Sequence, residues 1–290
     1  MSSSEVLREA CSAAGFDARG AEPRRLAENE TWSLASGIIV RISMAGQGTV
    51  AAREVQVARW LAEQGVRAVA PLAMDQPVVV ASRPVTFWVE VPNHQHGTVS
   101  EVAAVLRTLH SLPRPDHLDV GRLDPFVRLR DRITAAVTLS SSDRRWLVDV
   151  HDDLVQQWNG GFGSGRPECF IHGDAWPGNI VSTSEGPLVM DLERASVGPP
   201  EWDLVSTAVR CRTTGAISPD DYESFCETYG YDVTLWDGYS VLAAIRELRI
   251  TSYAAQHAST YPSWRREAQV RVDCLRGRRG PRPWNWKGIL

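Results

Sequence analysis

The sequence predicts an α+β fold in two lobes: a small sheet-rich lobe over residues 1–92 and a larger, mainly helical lobe over 93–290. Three observations carry that expectation. The first is apolar alternation at period two in the N-terminal third, in ETWSLASGIIVRIS and QPVVVASRPVTFWVEV. The second is a change of texture after Val91, where PNHQHG makes a polar joint and helical patterns such as SEVAAVLRTLHSL and SDRRWLVDVHDDLVQQW take over. The third is size, since 290 residues with 43% hydrophobic content can bury a large core and suit one two-lobed unit or two small domains.

Taken in order, residues 4–14 read as a short helix, and ETWSLASGIIVRIS reads as a hairpin turning at Ala35 to Gly37. A helix follows, with Thr49 as its cap, Val50, Val57 and Leu61 on its buried stripe, and Gly65 as its stop. A second hairpin is expected to turn at Ser82 to Pro84. In the helical lobe, CFI and PLVMD are short apolar runs separated by a Pro-Gly turn and NIV, so they read as strands around a loop.

Composition removes several functional classes. The formal charge of −4 is spread without long blocks of one sign, which argues against a nucleic-acid footprint and against a polybasic membrane patch. The expected partner is a small molecule, with monomer and homodimer both open. Five widely spaced cysteines without a CxxC pair suggest buried thiols in a reducing compartment, neither a disulfide framework nor a zinc site. No basic segment followed by an apolar one opens the chain, and the expectation is a cytoplasmic protein.

The most informative stretch is FIHGDAWPGNIV, residues 170–181, followed by VMDLE at 189–193. Polar residues stand here at the ends of apolar runs. Asp174 precedes Asn179 by five residues, the spacing found in the catalytic loop of protein kinases, and Asp191 closes the next apolar run. Phosphoryl transfer needs such parts: a carboxylate to orient the attacking hydroxyl, and oxygen ligands that hold magnesium against the phosphates.

Taken together these residues resemble the aminoglycoside phosphotransferase family, whose signature is an HGDxxxxN loop followed by a strand ending in a metal-binding Asp. The lobe order and the later GPPEWDL extend the resemblance over nearly the whole chain. It implies a protein-kinase-like fold, Asp174 as the catalytic carboxylate, Asn179 and Asp191 as magnesium ligands, and ATP or GTP as the donor. His172 is then scaffold, Asp203 buttresses the catalytic loop, and Trp202 packs. Glu193 either reaches a metal-bound water or is a solvated strand-end acid, and the second reading is preferred.

In the small lobe, the residues speak for themselves before any resemblance is used. Period two puts Ile38, Val40 and Ile42 on one face of their strand and Ile39, Arg41 and Ser43 on the other. Along the following helix, Val50, Glu54, Val57 and Leu61 fall on one stripe, so Glu54 interrupts an apolar face. A buried carboxylate there demands a cation, and Arg41 is the partner. The pair resembles the strand-Lys and helix-Glu pair of kinase-like folds, with Arg in place of the usual Lys. Ile39, on the Arg41 face, is grouped with the nucleotide contacts. No GxGxxG loop is present, so the turn from Glu28 to Thr31 is expected to position the nucleotide, with Asn29 as its polar contact. The backbone of Val89, Glu90 and Val91 is expected to meet the adenine.

The acceptor pocket is less legible. DDYESFCETYGYD supplies acids and aromatics that suit a cationic antibiotic, although a solvated amphipathic helix has the same composition and is the preferred reading. His94 and His96 read as an exposed loop, and Arg246 and Arg249 are both possible neighbours of the cleft. The leading expectation is a magnesium-dependent kinase that phosphorylates a hydroxyl of a small natural product, an aminoglycoside or another sugar- or nucleoside-containing antibiotic, conferring resistance. The alternative is a kinase of a primary metabolite such as choline, homoserine or an amino sugar. A non-catalytic, pseudokinase-like binding protein is least favoured, because Arg41, Glu54, Asp174, Asn179 and Asp191 occur together.

Overall fold

The computed structural model describes residues 1–26, 29–91, 93–162 and 165–288. Along them the helices are α1 (Ser3–Ala14), α2 (Gly48–Glu63), α3 (Val99–Ser111), α4 (Leu129–Ala135), α5 (Ser141–Asn159), α6 (Glu201–Arg212), α7 (Pro219–Tyr229), α8 (Tyr239–Thr260) and α9 (Arg265–Leu275). The strands are β1 (Glu22–Leu26), β2 (Glu30–Leu34), β3 (Ile38–Ile42), β4 (Val78–Val80), β5 (Arg83–Val89), β6 (Gln95–His96), β7 (Cys169–Ile171), β8 (Ile180–Thr183), β9 (Gly186–Val189) and β10 (Ser196–Gly198). By packing they form two units: Met1–Gly121 with Pro177–Val197, and Arg122–Trp176 with Gly198–Leu290. This division differs from the 92/93 joint read from the sequence, because α3 lies against β8 and β9 and all three belong to the first unit.

The first unit is built on an antiparallel sheet of order β1-β2-β3-β5-β4. In β3, Ile38, Val40 and Ile42 are buried while Ile39 and Arg41 are less so, as period two requires. Val40, Ile42, Val85 and Phe87 form one apolar core with Val6, Leu7, Ala10 and Cys11 of α1. The β4–β5 hairpin turns at Ala81 and Ser82, both in the left-handed region at φ 48° and 63°, as two-residue hairpin turns of the primed type need. The expected turn at Ser82 to Pro84 is thus displaced. Pro84 lies inside β5 opposite Val79, and its carbonyl accepts from the Ser43 amide. α2 begins before its expected cap: Gln47 stands at the N-cap without a side-chain bond, and Thr49 is within the first turn.

A second, three-stranded sheet of order β6-β8-β9 completes this unit. Gly97 follows β6, and its amide donates to the carbonyls of Pro177 and Ile180. A Cβ at Gly97 would stand 2.3 Å from the Ile180 carbonyl oxygen, so only glycine fits this approach. The segment carrying Asn179 is thereby fixed.

The second unit is helical around α8, which packs against α4, α5, α6 and α9. Its core joins Leu147 and Leu154 of α5, Trp202 and Val205 of α6, and Leu242, Ile245 and Leu248 of α8. The described cysteines are all free thiols, and burial pushes Cys11 up to about 11 and Cys169 up to about 12. Among the described residues no helix is long and apolar enough to cross a membrane.

Candidate functional site

In the first unit, Arg41 and Glu54 are joined as their positions in the sequence require. Arg41 Nη1 donates to Glu54 Oε1 at 2.5 Å, and Glu54 is only 5% exposed. The other branch of the guanidinium, Nη2, donates to Glu193 Oε2 at 2.9 Å. The same oxygen accepts from Asn29 Nδ2 at 3.0 Å. Asn29, Glu193, Arg41 and Glu54 therefore form one continuous chain of polar contacts.

That finding corrects the reading of Glu193 as a solvated acid. Its side chain is 19% exposed and accepts from two residues distant in sequence. No sequence signal pointed to this, because nothing local to VMDLE shows where β3 will pass. Of the expected nucleotide-positioning turn, Glu28 lies outside the described residues, whereas Asn29 is held by Glu193.

Three carboxylates, Glu54, Asp191 and Glu193, act on the Arg41 guanidinium. Burial raises the Glu54 carboxyl to about 7, with Asp191 and Glu193 pushing the same way and Arg41 opposing. Arg194 adds a second cation 4.0 Å from Glu193.

Asp191 follows β9 in the left-handed region, at φ 52° and ψ 69°, a conformation that Asp tolerates better than most residues. Among the described residues no hydrogen bond reaches its carboxylate. Asn179 is buried, and its carbonyl accepts from the Met190 amide at 2.7 Å, which ties the Asn179 segment to the residue before Asp191. An amide oxygen and an open carboxylate are hard donors of the kind magnesium takes, so these two residues fit the ion. Among the described residues no group of three or more His, Cys, Asp or Glu gathers for a metal, which is compatible with a site completed by water and phosphate oxygens.

Ile39 sits between Ser33 of β2 and Trp88 of β5 in the sheet register. Of the segment expected to meet adenine, the Val89 amide donates to Ala70 and the Glu90 amide to Gly37. The Glu90 side chain accepts from Arg24 and Ser33. The Val91 amide and the carbonyls of the segment remain as candidate contacts.

In the second unit, residues 172–174 form a turn clamped from beneath. The Asp203 carboxylate accepts from the His172 amide through Oδ2 and from the Gly173 amide through Oδ1, each at 2.8 Å. The His172 ring is fully buried, and its Nδ1 accepts from the Asp174 amide at 3.2 Å. Trp202 Nε1 donates to the Gly173 carbonyl at 2.9 Å. Gly173 has φ 83°, which suits glycine. The scaffold expected of His172, Asp203 and Trp202 is thus present as geometry, and it leaves the Asp174 side chain 50% exposed.

Arg246 is the residue that sequence reasoning left undecided. It reaches this turn from α8, is 6% exposed, and lies over the Trp202 ring at 4.0 Å. Its Nη2 donates to the carbonyls of Gly173 and Trp202 at 3.1 and 3.0 Å, and its Nη1 is 3.5 Å from Asp174 Oδ1. Arg249 is turned to the Pro125 carbonyl instead. A cation in the apolar first half of the helix was the available signal, but Arg246 and Arg249 carried it equally and Glu247 lay between them. On α7, Asp220, Asp221, Glu223 and Glu227 are exposed and Tyr222, Phe225 and Tyr229 are buried, an amphipathic helix. His94 and His96 are exposed, and His96 pairs with Val181 in β6, not in a loop.

Residues 20–268 match the profile described as the phosphotransferase enzyme family. The chain belongs to this family and is an enzyme, a small-molecule kinase. No curated protein sequence matches it. Among solved structures it resembles the amicoumacin kinase hAmiN, in complex with AMP-PNP, Ca2+ and Ami, at 13% identity over 93% of each chain and a TM-score of 0.67. It also resembles the aminoglycoside phosphotransferase APH(3'')-Id of Streptomyces rimosus, at 19% identity over 86% of this chain and 99% of that one, with a TM-score of 0.63. A choline/ethanolamine kinase family protein of Mesorhizobium loti is similar at 18% identity over 94% of this chain and 92% of that one, with a TM-score of 0.61. At these identities the likeness shows the fold, which is two-lobed and kinase-like.

Proposed function

We propose that the chain transfers the γ-phosphoryl group of ATP or GTP to a hydroxyl of a small molecule. The acceptor oxygen forms a bond to the γ-phosphorus while the bond to the bridging oxygen breaks, the nucleoside diphosphate leaves, and the hydroxyl proton passes to Asp174. Asp174 orients the hydroxyl, and Arg41, positioned by Glu54 and Glu193, holds the α- and β-phosphates. Asn29, Ile39 and the backbone of residues 89–91 contact the rest of the nucleotide. Asn179 and Asp191 would hold magnesium, which when bound neutralises charge on the phosphates. On this reading residues 1–92 serve the nucleotide and 93–290 serve catalysis and the acceptor, in the cytoplasm.

The observation that supports this best is the clamped turn at 172–174, which fixes the backbone around Asp174 and leaves its side chain half exposed. The acceptor is either an aminoglycoside or related sugar or nucleoside antibiotic, as for APH(3'')-Id, or a metabolite such as choline, as the Mesorhizobium loti neighbour suggests. Nucleotide turnover should be measured against a panel of both classes. Acceptor-dependent diphosphate release supports the proposal, whereas a protein that neither binds nor turns over nucleotide with any acceptor overturns it.

A further inference from the structure

Arg210 of α6 is a half-buried guanidinium that makes no ion pair among the described residues. It lies over the Trp176 ring, 5.1 Å from the centroid, and its Nε is buried without a hydrogen-bond partner. Among the described residues none of its other nitrogens makes a hydrogen bond or ion pair. Burial works against its charge, and the charge that favours it is that of Asp174. A guanidinium offers five donors in a rigid fork, and buried donors in native proteins are ordinarily met. Arg246 in the same unit also leaves its Nε unmet, but two carbonyls and Asp174 occupy its terminal nitrogens, and it serves the turn. Among the described residues the Arg210 side chain holds only the face of Trp176.

We infer that Arg210 takes an anionic group of the acceptor, a carboxylate or a phosphate, whose hydroxyl is thereby presented to Asp174. This rests on the reading of Asp174 given above. The fork matches two oxygens of such a group bidentately, and stacking on Trp176 fixes the plane in which they must lie. Asp174 repels the anion and accepts from the hydroxyl, so the two ends of the acceptor are sorted by charge. A polycation would set ammonium groups against Arg210. The acceptor is therefore a hydroxy acid, an amino-hydroxy acid or a phosphorylated alcohol, and an aminoglycoside is disfavoured.

The experiment compares the parent with Arg210→Met and Arg210→Lys on matched probes: glycerate against glycerol, homoserine against choline, and kanamycin. In thermal melts, glycerate or homoserine should protect the parent, should not protect Arg210→Met, and should partly protect Arg210→Lys. In turnover, Arg210→Met should raise the acceptor KM roughly tenfold to hundredfold, the loss expected for charge-assisted hydrogen bonds. Equal protection of parent and Arg210→Met, or no protection of the parent by either acid, overturns the inference. So does preferred turnover of choline or kanamycin. A fall in acceptor-free nucleotide hydrolysis with the acceptor KM unmoved would assign Arg210 to the transferred phosphoryl group instead. Loss of turnover in Asp174→Asn separates the two levels: if it holds while Arg210 proves indifferent, only the acceptor assignment falls.

Discussion

Glu193 Oε2 stands 2.9 Å from Arg41 Nη2, so the fork of Arg41 is divided between Glu193 and Glu54. One guanidinium thus locks the strand to α2 on one side and to the segment after β9 on the other. Because both partners are largely buried, loss of the cation is felt by two carboxylates at once.

Arg41→Ala should lower stability by about 3–5 kcal/mol, the usual loss when one partner of a buried pair is removed, and should weaken nucleotide binding. Arg41→Lys keeps one charge but cannot fork, so it should fold and turn over with a raised nucleotide KM. Arg41→Ala combined with Glu54→Ala should recover much of the stability and still bind nucleotide poorly. Melting temperature and nucleotide KM for the three proteins decide the matter. Parent-like values in Arg41→Ala would remove Arg41 from the nucleotide site.

The titration of Glu54 gives a pH signature. Its carboxyl titrates near 7 in the folded protein against an ordinary value of 4.5, so the folded state keeps a proton that the unfolded chain releases. Its contribution to stability is full below 4.5 and is lost as pH rises through about 7. Stability of the parent relative to Glu54→Gln should therefore fall across that window, as read by denaturant melts at a series of pH values. A flat difference would contradict the assignment.

Glu193→Gln removes a charge from Arg41 and replaces one acceptor oxygen with a donor. Asn29 and Arg41 both donate to one oxygen, which the amide oxygen of Gln can still offer, but without the negative charge that pairs with Arg41. A loss of about 1–3 kcal/mol in stability is expected, with nucleotide KM rising more than acceptor KM. An acceptor KM that rises while nucleotide KM stays constant would move Glu193 to another role.

Asp174→Asn should lower kcat by about 10² or more with nucleotide affinity nearly unchanged, as removal of a general base does. Single-turnover kinetics and nucleotide titration separate the two quantities. Near-normal turnover would exclude the role.

Asp191→Ala should abolish magnesium-dependent protection by nucleotide in a thermal melt, since few protein ligands are available and phosphate supplies the others. Protection that persists at parental strength would place the ion elsewhere.

The parts legible in the sequence are those written in local periodicity. Alternation in GIIVRIS and the acid in the stripe of α2 are enough to pair Arg41 with Glu54 from the sequence. The spacing in FIHGDAWPGNIV marked the turn that Asp203 and Trp202 clamp. The illegible parts arise from long-range approach. Glu193 meets Asn29 and Arg41 across separations of 164 and 152 residues, and nothing in VMDLE announces it. Arg246 reaches Asp174 across 72 residues from a helix that carries several other polar side chains. Pro84 misled for the opposite reason, since a local turn preference lost to the pairing of β5 with both its neighbours.

β1, the outermost strand of the five-stranded sheet, is exposed along its whole length and was not foreseen for that reason. Its pairing with β2 shifts register between Pro23 and Arg25, and its residues include Pro23, Arg24 and Arg25. Proline lacks the donor a further strand would need, the irregularity spoils the match, and Arg25 puts a charge on the edge. These features disfavour the addition of a further strand along that border of the sheet.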